Sequence, residues 1–129
     1  MKLTNGEVFN AGQPLQILMG TKLPVKVAFQ VAKVANKINS KRRVIEVVRD
    51  DLIKRYGIET GHGGFEVVGP NDSKGRPVSP KWEDFVRELN ELMDVEDEMV
   101  FDVIKIPETT PIDIEPSVLL ALEKFIEVV

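Results

Sequence analysis

The most regular pattern of apolar and polar positions follows Pro24 and continues to Tyr56 without a glycine or a further proline. Apolar residues recur there in alternating steps of four and three, the spacing of one buried helical face, with a single gap at Lys41. Proline suits the first turn of a helix, and Gly57 suits its end. The pattern predicts one long helix over 24–56. The residues predicted to face its core are Val27, Val31, Val34, Ile38, Ile45, Val48 and Leu52.

A shorter helical pattern precedes the long one. Thr4 and Glu7 match a capping box, in which each side chain bonds the backbone N–H of the other residue. We therefore expect a helix that begins directly after Thr4 and runs to about Met19. Gly12 and Pro14 lie inside it and weaken it, so the sequence predicts a kink or a split there.

The chain after Gly57 mixes turn residues with short apolar stretches. We expect a loose hairpin of 65–68 and 76–78, a helix with Ser79 as its cap, a strand over 99–106 and a final helix opened by Pro116. The pattern as a whole predicts one domain, 1–129, of the mostly helical α+β class. In it, two or three shorter helices and a small antiparallel sheet pack against the long central helix.

Composition limits the functions open to this chain. Its 129 residues suit one ordinary domain, and 43% hydrophobic with 29% charged residues is typical of a globular protein. The absence of cysteine excludes disulfides, thiolate nucleophiles and zinc ribbons, and there is a single histidine. No apolar run approaches the ~20 residues that span a bilayer, and no secretory signal is recognisable at the start. We expect a soluble cytoplasmic protein without membrane contact.

Charge divides the chain into two halves of opposite sign. Residues 1–57 carry eleven basic and four acidic groups, 11 − 4 = +7, whereas residues 58–129 carry six and seventeen, 6 − 17 = −11. Such a division has three explanations: the halves dock on each other, copies associate head to tail, or one half meets a charged partner.

Two segments resemble catalytic or metal sites. Residues 60–64 place His62 among glycines, as some anion-binding loops do, but the nucleophile elbow and the phosphate-binding glycine motifs are absent. The acidic run 94–98, together with Asp102, lacks the spacing of a calcium loop. We interpret the first as a hairpin tip and the second as a solvated face. The sequence therefore predicts neither an enzyme nor a cofactor or metal site.

A basic patch lies midway along the long helix and is the predicted partner-binding site. Its residues are Lys33, Lys37, Lys41, Arg42 and Arg43. Such a patch can bind an acidic protein surface or nucleic acid phosphates. The net charge of −4 and the single Tyr and Trp favour a protein partner. A nucleic-acid-associated accessory protein remains the alternative, and the patch can also pair with the acidic half of the same chain.

Four segments in this order resemble an uncharacterised family of small tailed-phage and prophage proteins: 22–28, 52–57, 85–93 and 114–117 followed by Leu122. The similarity spans almost the whole chain, although Gly6, Gly12 and Pro14 depart from the plainly helical start of that family. The resemblance implies a viral origin and carries over no catalytic residue. It favours a non-enzymatic module in the host cytoplasm or the virion, whose partner is another copy, a virion component or a host protein.

Overall fold

The computed structural model describes residues 1–70, 72 and 74–129. These residues form four helices and six short strands, and the predicted mostly helical α+β class is confirmed. The elements are β1 Lys2–Thr4, α1 Asn5–Met19, α2 Val25–Tyr56, β2 Ile58–Glu59, β3 Phe65–Glu66, α3 Trp82–Asp94, β4 Glu96–Glu98, β5 Ile104–Ile106, α4 Pro116–Ala121 and β6 Ile126–Val128.

Helix α2 is the long central helix that the apolar repeat predicts. Its 32 residues begin directly after Pro24, end at Gly57, and span roughly 48 Å at 1.5 Å per residue. Six of the seven predicted core positions are buried, but Val48 is largely exposed, which corrects that assignment. A straight helix drifts away from a strict heptad repeat, so the inner face near its end turns toward Arg49 instead of Val48.

Helix α1 begins at the predicted capping box, with both reciprocal bonds between Thr4 and Glu7 present. The predicted split is not present, since α1 is one continuous helix through Gly12 and Pro14. Its packing against α2 outweighs the backbone bond that Pro14 cannot donate. The α1 residues in the core are Val8, Ala11, Leu15 and Leu18.

The strands form three separate two-stranded ladders. β1 pairs with β4 and β2 with β3, both antiparallel, whereas β5 pairs with β6 in parallel with Ile104 opposite Ile126. The hairpin therefore joins 58–59 to 65–66 instead of the predicted 65–68 to 76–78. Residues 71 and 73 of the predicted turn lie outside the described residues.

Three predicted elements have different bounds. Ser79 does not cap α3, since its buried hydroxyl accepts a hydrogen bond from the Val68 N–H at 2.8 Å and α3 begins only at Trp82. The predicted strand over 99–106 is reduced to β5. The final helix stops at Ala121, so that Leu122 and Phe125 are buried in the segment after it and Ile126 belongs to β6.

One hydrophobic core joins the two oppositely charged halves. It contains α1 and α2 residues from the basic half, together with residues of β5 and the last segment from the acidic half. The acidic-half members that are buried are Met99, Ile104, Ile106, Val118, Leu122 and Phe125. Among the described residues, no helix combines the length and the apolar character that crossing a membrane requires.

Candidate protein-interaction site

Three lysines of the predicted site contact one segment of the acidic half. This segment, residues 97–102, runs from the end of β4 across the middle of α2. The contacts are Lys33 with the Asp102 carboxylate at 3.8 Å, Lys37 with the Val100 carbonyl, and Lys41 with the Asp97 carboxylate. The gap in the apolar repeat at Lys41 is thus filled by an ion pair at the edge of the core.

These contacts change the electrostatics of the middle of α2. The hydrogen bond from Lys41 lowers the pKa of Asp97 below its ordinary range. Exposed ion pairs contribute little stability, so the apolar core holds the halves together and the charges orient them. A nucleic acid bound here would compete with Asp97 and Asp102 for the same ammonium groups.

Arg42 is directed inward, toward α1. Its guanidinium lies 5.0 Å from the ring centre of Phe9, a cation–π distance, and 3.7 Å from the Glu46 carboxylate. A methyl group on Gly12 would come within 2.2 Å of this guanidinium. Gly12 therefore gives Arg42 the space to lie across α1, which explains a glycine inside that helix.

Arg43 differs from the other four predicted residues. It is exposed, and it makes no ion pair with any residue that the structure describes. Beyond it lie three exposed valines on the side of α2 that faces away from α1. Val44 is 65% exposed, Val47 69% and Val48 42%. Asp51, one turn after Val47, is exposed as well.

We call these five residues, Arg43, Val44, Val47, Val48 and Asp51, the outer strip. Single exposed apolar residues are ordinary, whereas exposed apolar residues that adjoin on one face form a candidate interaction surface. Val47, Val48 and Asp51 also line a shallow groove together with Asp50 and Lys54. The outer strip is therefore an apolar ridge with a cation before it and an anion after it.

The sequence analysis did not identify the valines of the outer strip as a candidate surface. The apolar repeat gives a position to Val48 but none to Val44 or Val47. A usable signal was nevertheless present, since Val44 and Val47 lie outside the predicted core face and form, with Val48, a second helical stripe at i, i+3 and i+4. Arg43 is the one residue that belongs both to the predicted basic patch and to the outer strip.

The other candidate catalytic and metal-binding residues that the structure describes do not come together in one site. His62 is exposed in the turn between β2 and β3, where it lines no described cleft. Residues 1–70, 72 and 74–129 place no three His, Asp or Glu side chains where they could hold a metal ion. A cleft of about 350 Å³ lies beside Phe29 and Phe101, and two of the three lysines that line it, Lys33 and Lys37, already have partners within the chain.

No protein-family model matches this chain, and neither a curated protein nor a solved structure matches it. The resemblance to small phage proteins therefore stays a prediction from four sequence segments. Function has to be argued from the geometry of the outer strip and its surroundings.

Proposed function

We propose that this protein is a non-enzymatic protein-binding module that docks through the outer strip onto the same strip of a second copy. The observation that supports the proposal is the exposed ridge of Val44, Val47 and Val48 between one cation and one anion. Removing such a ridge from water is favourable when it packs against another apolar surface.

The order of charges along the outer strip favours a second copy as the partner. Arg43 lies four residues before Val47, and Asp51 lies four residues after it, so all three share one helical ridge. When two α2 helices meet antiparallel about a two-fold axis at Val47, Arg43 of each chain faces Asp51 of the other. Both ion pairs then form at once, around a centre of valines.

The partners of Asp51 in the single chain do not prevent this pairing. Its carboxylate lies 3.1 Å from Arg55 in the same helix, and the Arg55 guanidinium also approaches Glu88 of α3 at 3.9 Å. Exposed pairs of this kind exchange readily because each contributes roughly 1 kcal/mol or less. Asp51 can therefore turn to a cation on another chain.

The proposed interface is small, which sets the expected affinity. Three valines and two charged residues on each chain bury less than the roughly 800 Å² per partner of a standard interface. We expect a reversible dimer with a dissociation constant on the order of micromolar or weaker. Salt screens the two ion pairs but leaves the valine contact intact, so high salt weakens the dimer without abolishing it.

Reversible self-association suits a structural or assembly role. The sequence resemblance to small phage proteins supports a place in the host cytoplasm or the virion, where copies of a short protein come together on a larger assembly. The basic patch then acts mainly within the chain, and Arg43 alone of its members contributes to the partner surface.

The proposal is tested by sedimentation equilibrium over a range of protein concentrations. Val47→Glu places a charge at the proposed two-fold axis, so this variant should remain monomeric where the original chain dimerises. Val25→Glu is the matched control, because Val25 is 85% exposed on the same helix but lies far from the outer strip. It should dimerise as the original chain does. A monomer at every concentration for all three proteins, or equal weakening by both substitutions, would reject the proposal.

A further inference from the structure

The parallel ladder of β5 and β6 has one closed edge and one open edge. On the β5 side, the Gln30 side chain takes the place of a neighbouring strand. Its amide oxygen accepts from the Lys105 N–H at 2.8 Å, and its amide nitrogen donates to the Lys105 carbonyl at 3.4 Å. A side chain of α2 thus caps the backbone groups of β5 that face away from β6.

The β6 edge has no such cover. Phe125 and Val129 bond the backbone of β5, and alternate residues of a strand point their backbone groups to opposite edges. Val128 therefore directs its N–H and carbonyl away from β5, and no hydrogen bond from another described element reaches them. Its side chain is 66% exposed. An open strand edge of this kind can pair with another chain.

An apolar groove of about 510 Å³ lies between α4 and the β5–β6 ladder, and Val128 of the open edge is part of its lining. Its lining is mostly aliphatic, and Leu120 of α4 is 70% exposed within it. The apolar residues that line it include Ile106, Ile112, Leu119, Leu120, Ile126 and Val128. The groove offers pockets for alternate side chains of an extended segment laid beside β6.

The surroundings of the groove are strongly acidic. Residues 106–129 contain five carboxylate side chains and one ammonium, that of Lys124, which pairs with Glu7 of α1. All five carboxylates are exposed, and in the described part of the chain none of them makes an ion pair. They are Glu108, Asp113, Glu115, Glu123 and Glu127.

We propose that the β6 edge and its groove bind an extended basic peptide segment of a partner protein, which adds a strand beside Val128. Apolar residues of that segment fill the groove beside Ile126 and Val128, and its alternating lysine or arginine residues point to the opposite face of the ladder, as Glu127 does. Glu123 lines the groove itself and adds to the attraction for a basic segment. A second copy of this chain is a poor occupant, because a symmetric pairing of β6 edges would bring these carboxylates against one another. The site is separate from the outer strip and goes beyond self-association.

The probe is a labelled peptide of about six residues, the length of an ordinary strand, in which lysine and valine alternate. Fluorescence anisotropy measures its binding to the full chain, and hydrogen exchange measures protection of the Val128 amide. We expect saturable binding with slower exchange at Val128. A peptide with glutamate in place of lysine should not bind. Neither should one in which every backbone nitrogen is N-methylated, because neither of its edges can donate hydrogen bonds to β6.

Two double variants locate the site. Glu123→Lys with Glu127→Lys should weaken binding by at least about tenfold, since it reverses the charge in the groove lining and the charge next to Val128 in β6. Glu83→Lys with Glu91→Lys, on the exposed side of α3, makes the same change in net charge elsewhere and should have a much smaller effect. Equal losses in both variants, or binding of the N-methylated peptide, would show nonspecific charge attraction and overturn the proposal.

Two further results distinguish peptide binding at the β6 edge from occupation of that edge by a second copy, and from binding at the outer strip. If Val128 is already protected without peptide, increasingly so at higher protein concentration, a second copy occupies the edge and the peptide proposal is wrong. Val47→Glu should bind the lysine–valine peptide as tightly as the original chain does. Loss of peptide binding in this variant would place the peptide on the outer strip instead.

Discussion

Arg42 and Arg43 are neighbours in sequence but belong to two differently used faces of α2. Arg42 lies half-buried between Phe9, Gly12 and Glu46, and the lysines before it contact residues 97–102. Arg43 is exposed and belongs to the outer strip. A run of basic residues is therefore poor evidence of a binding site until its partners within the chain are known.

The largest expected difference between the two faces is in packing. Val31 is buried and Val47 is 69% exposed, so the same Val→Ala substitution tests both faces of one helix. Val31→Ala should lower the free energy of unfolding by roughly 2 kcal/mol through lost burial and a residual cavity. Val47→Ala should change it by less than about 0.5 kcal/mol. Urea unfolding at low protein concentration measures both, and equal losses would mean that the outer face is packed within the single chain.

Arg42 and Arg43 should differ less in their contributions to stability than the two valines do. Arg42→Ala should destabilise the single chain by about 1 kcal/mol, because it removes the cation–π contact and the aliphatic packing over α1. Arg43→Ala should leave the stability of the single chain almost unchanged and should instead weaken self-association. Unfolding at low concentration and sedimentation at high concentration separate these effects. A destabilised Arg43→Ala monomer would show that Arg43 has a partner within the chain.

The smallest expected effect is the pH dependence of stability at the face of α2 that residues 97–102 cross. Since Lys41 lowers the pKa of Asp97 in the folded chain, ionised Asp97 contributes stability above its unfolded pKa of about 4. That contribution is lost as the pH falls through the lower folded value. Asp97→Asn should therefore be slightly less stable than the original chain at about pH 7, and the difference should shrink at about pH 3. If the two proteins differ in stability by the same amount at both pH values, the effect of Asp97→Asn comes from packing instead of charge.

Periodicity and capping rules predicted the helical part of the fold well. The long apolar repeat defined α2 to within one residue, and Thr4 with Glu7 defined the start of α1. These signals are local, since each depends on residues within one or two turns. The strands were harder to predict, because β1 and β6 each have three residues and exist only through pairing with distant partners.

The candidate site was predicted only in part, for a related reason. A sequence shows that Lys33, Lys37 and Lys41 share a helical face, but not that residues 97–102 cross that face. It also shows Gly12 as a weak point of α1, whereas the folded chain places Arg42 over it. Intramolecular partners that are far apart in sequence decide which charges remain free, and they become visible only once the fold is known.

The most direct test of self-docking through the outer strip is a charge exchange measured by light scattering behind size exclusion at increasing concentration. Arg43→Glu and Asp51→Arg alone each place like charges opposite one another in the antiparallel pair, so each should remain monomeric where the original chain dimerises. The chain with both substitutions restores both ion pairs with their signs reversed, and it should dimerise again. Four proteins that stay monomeric at every concentration, or a double variant no better than the single ones, would contradict the account.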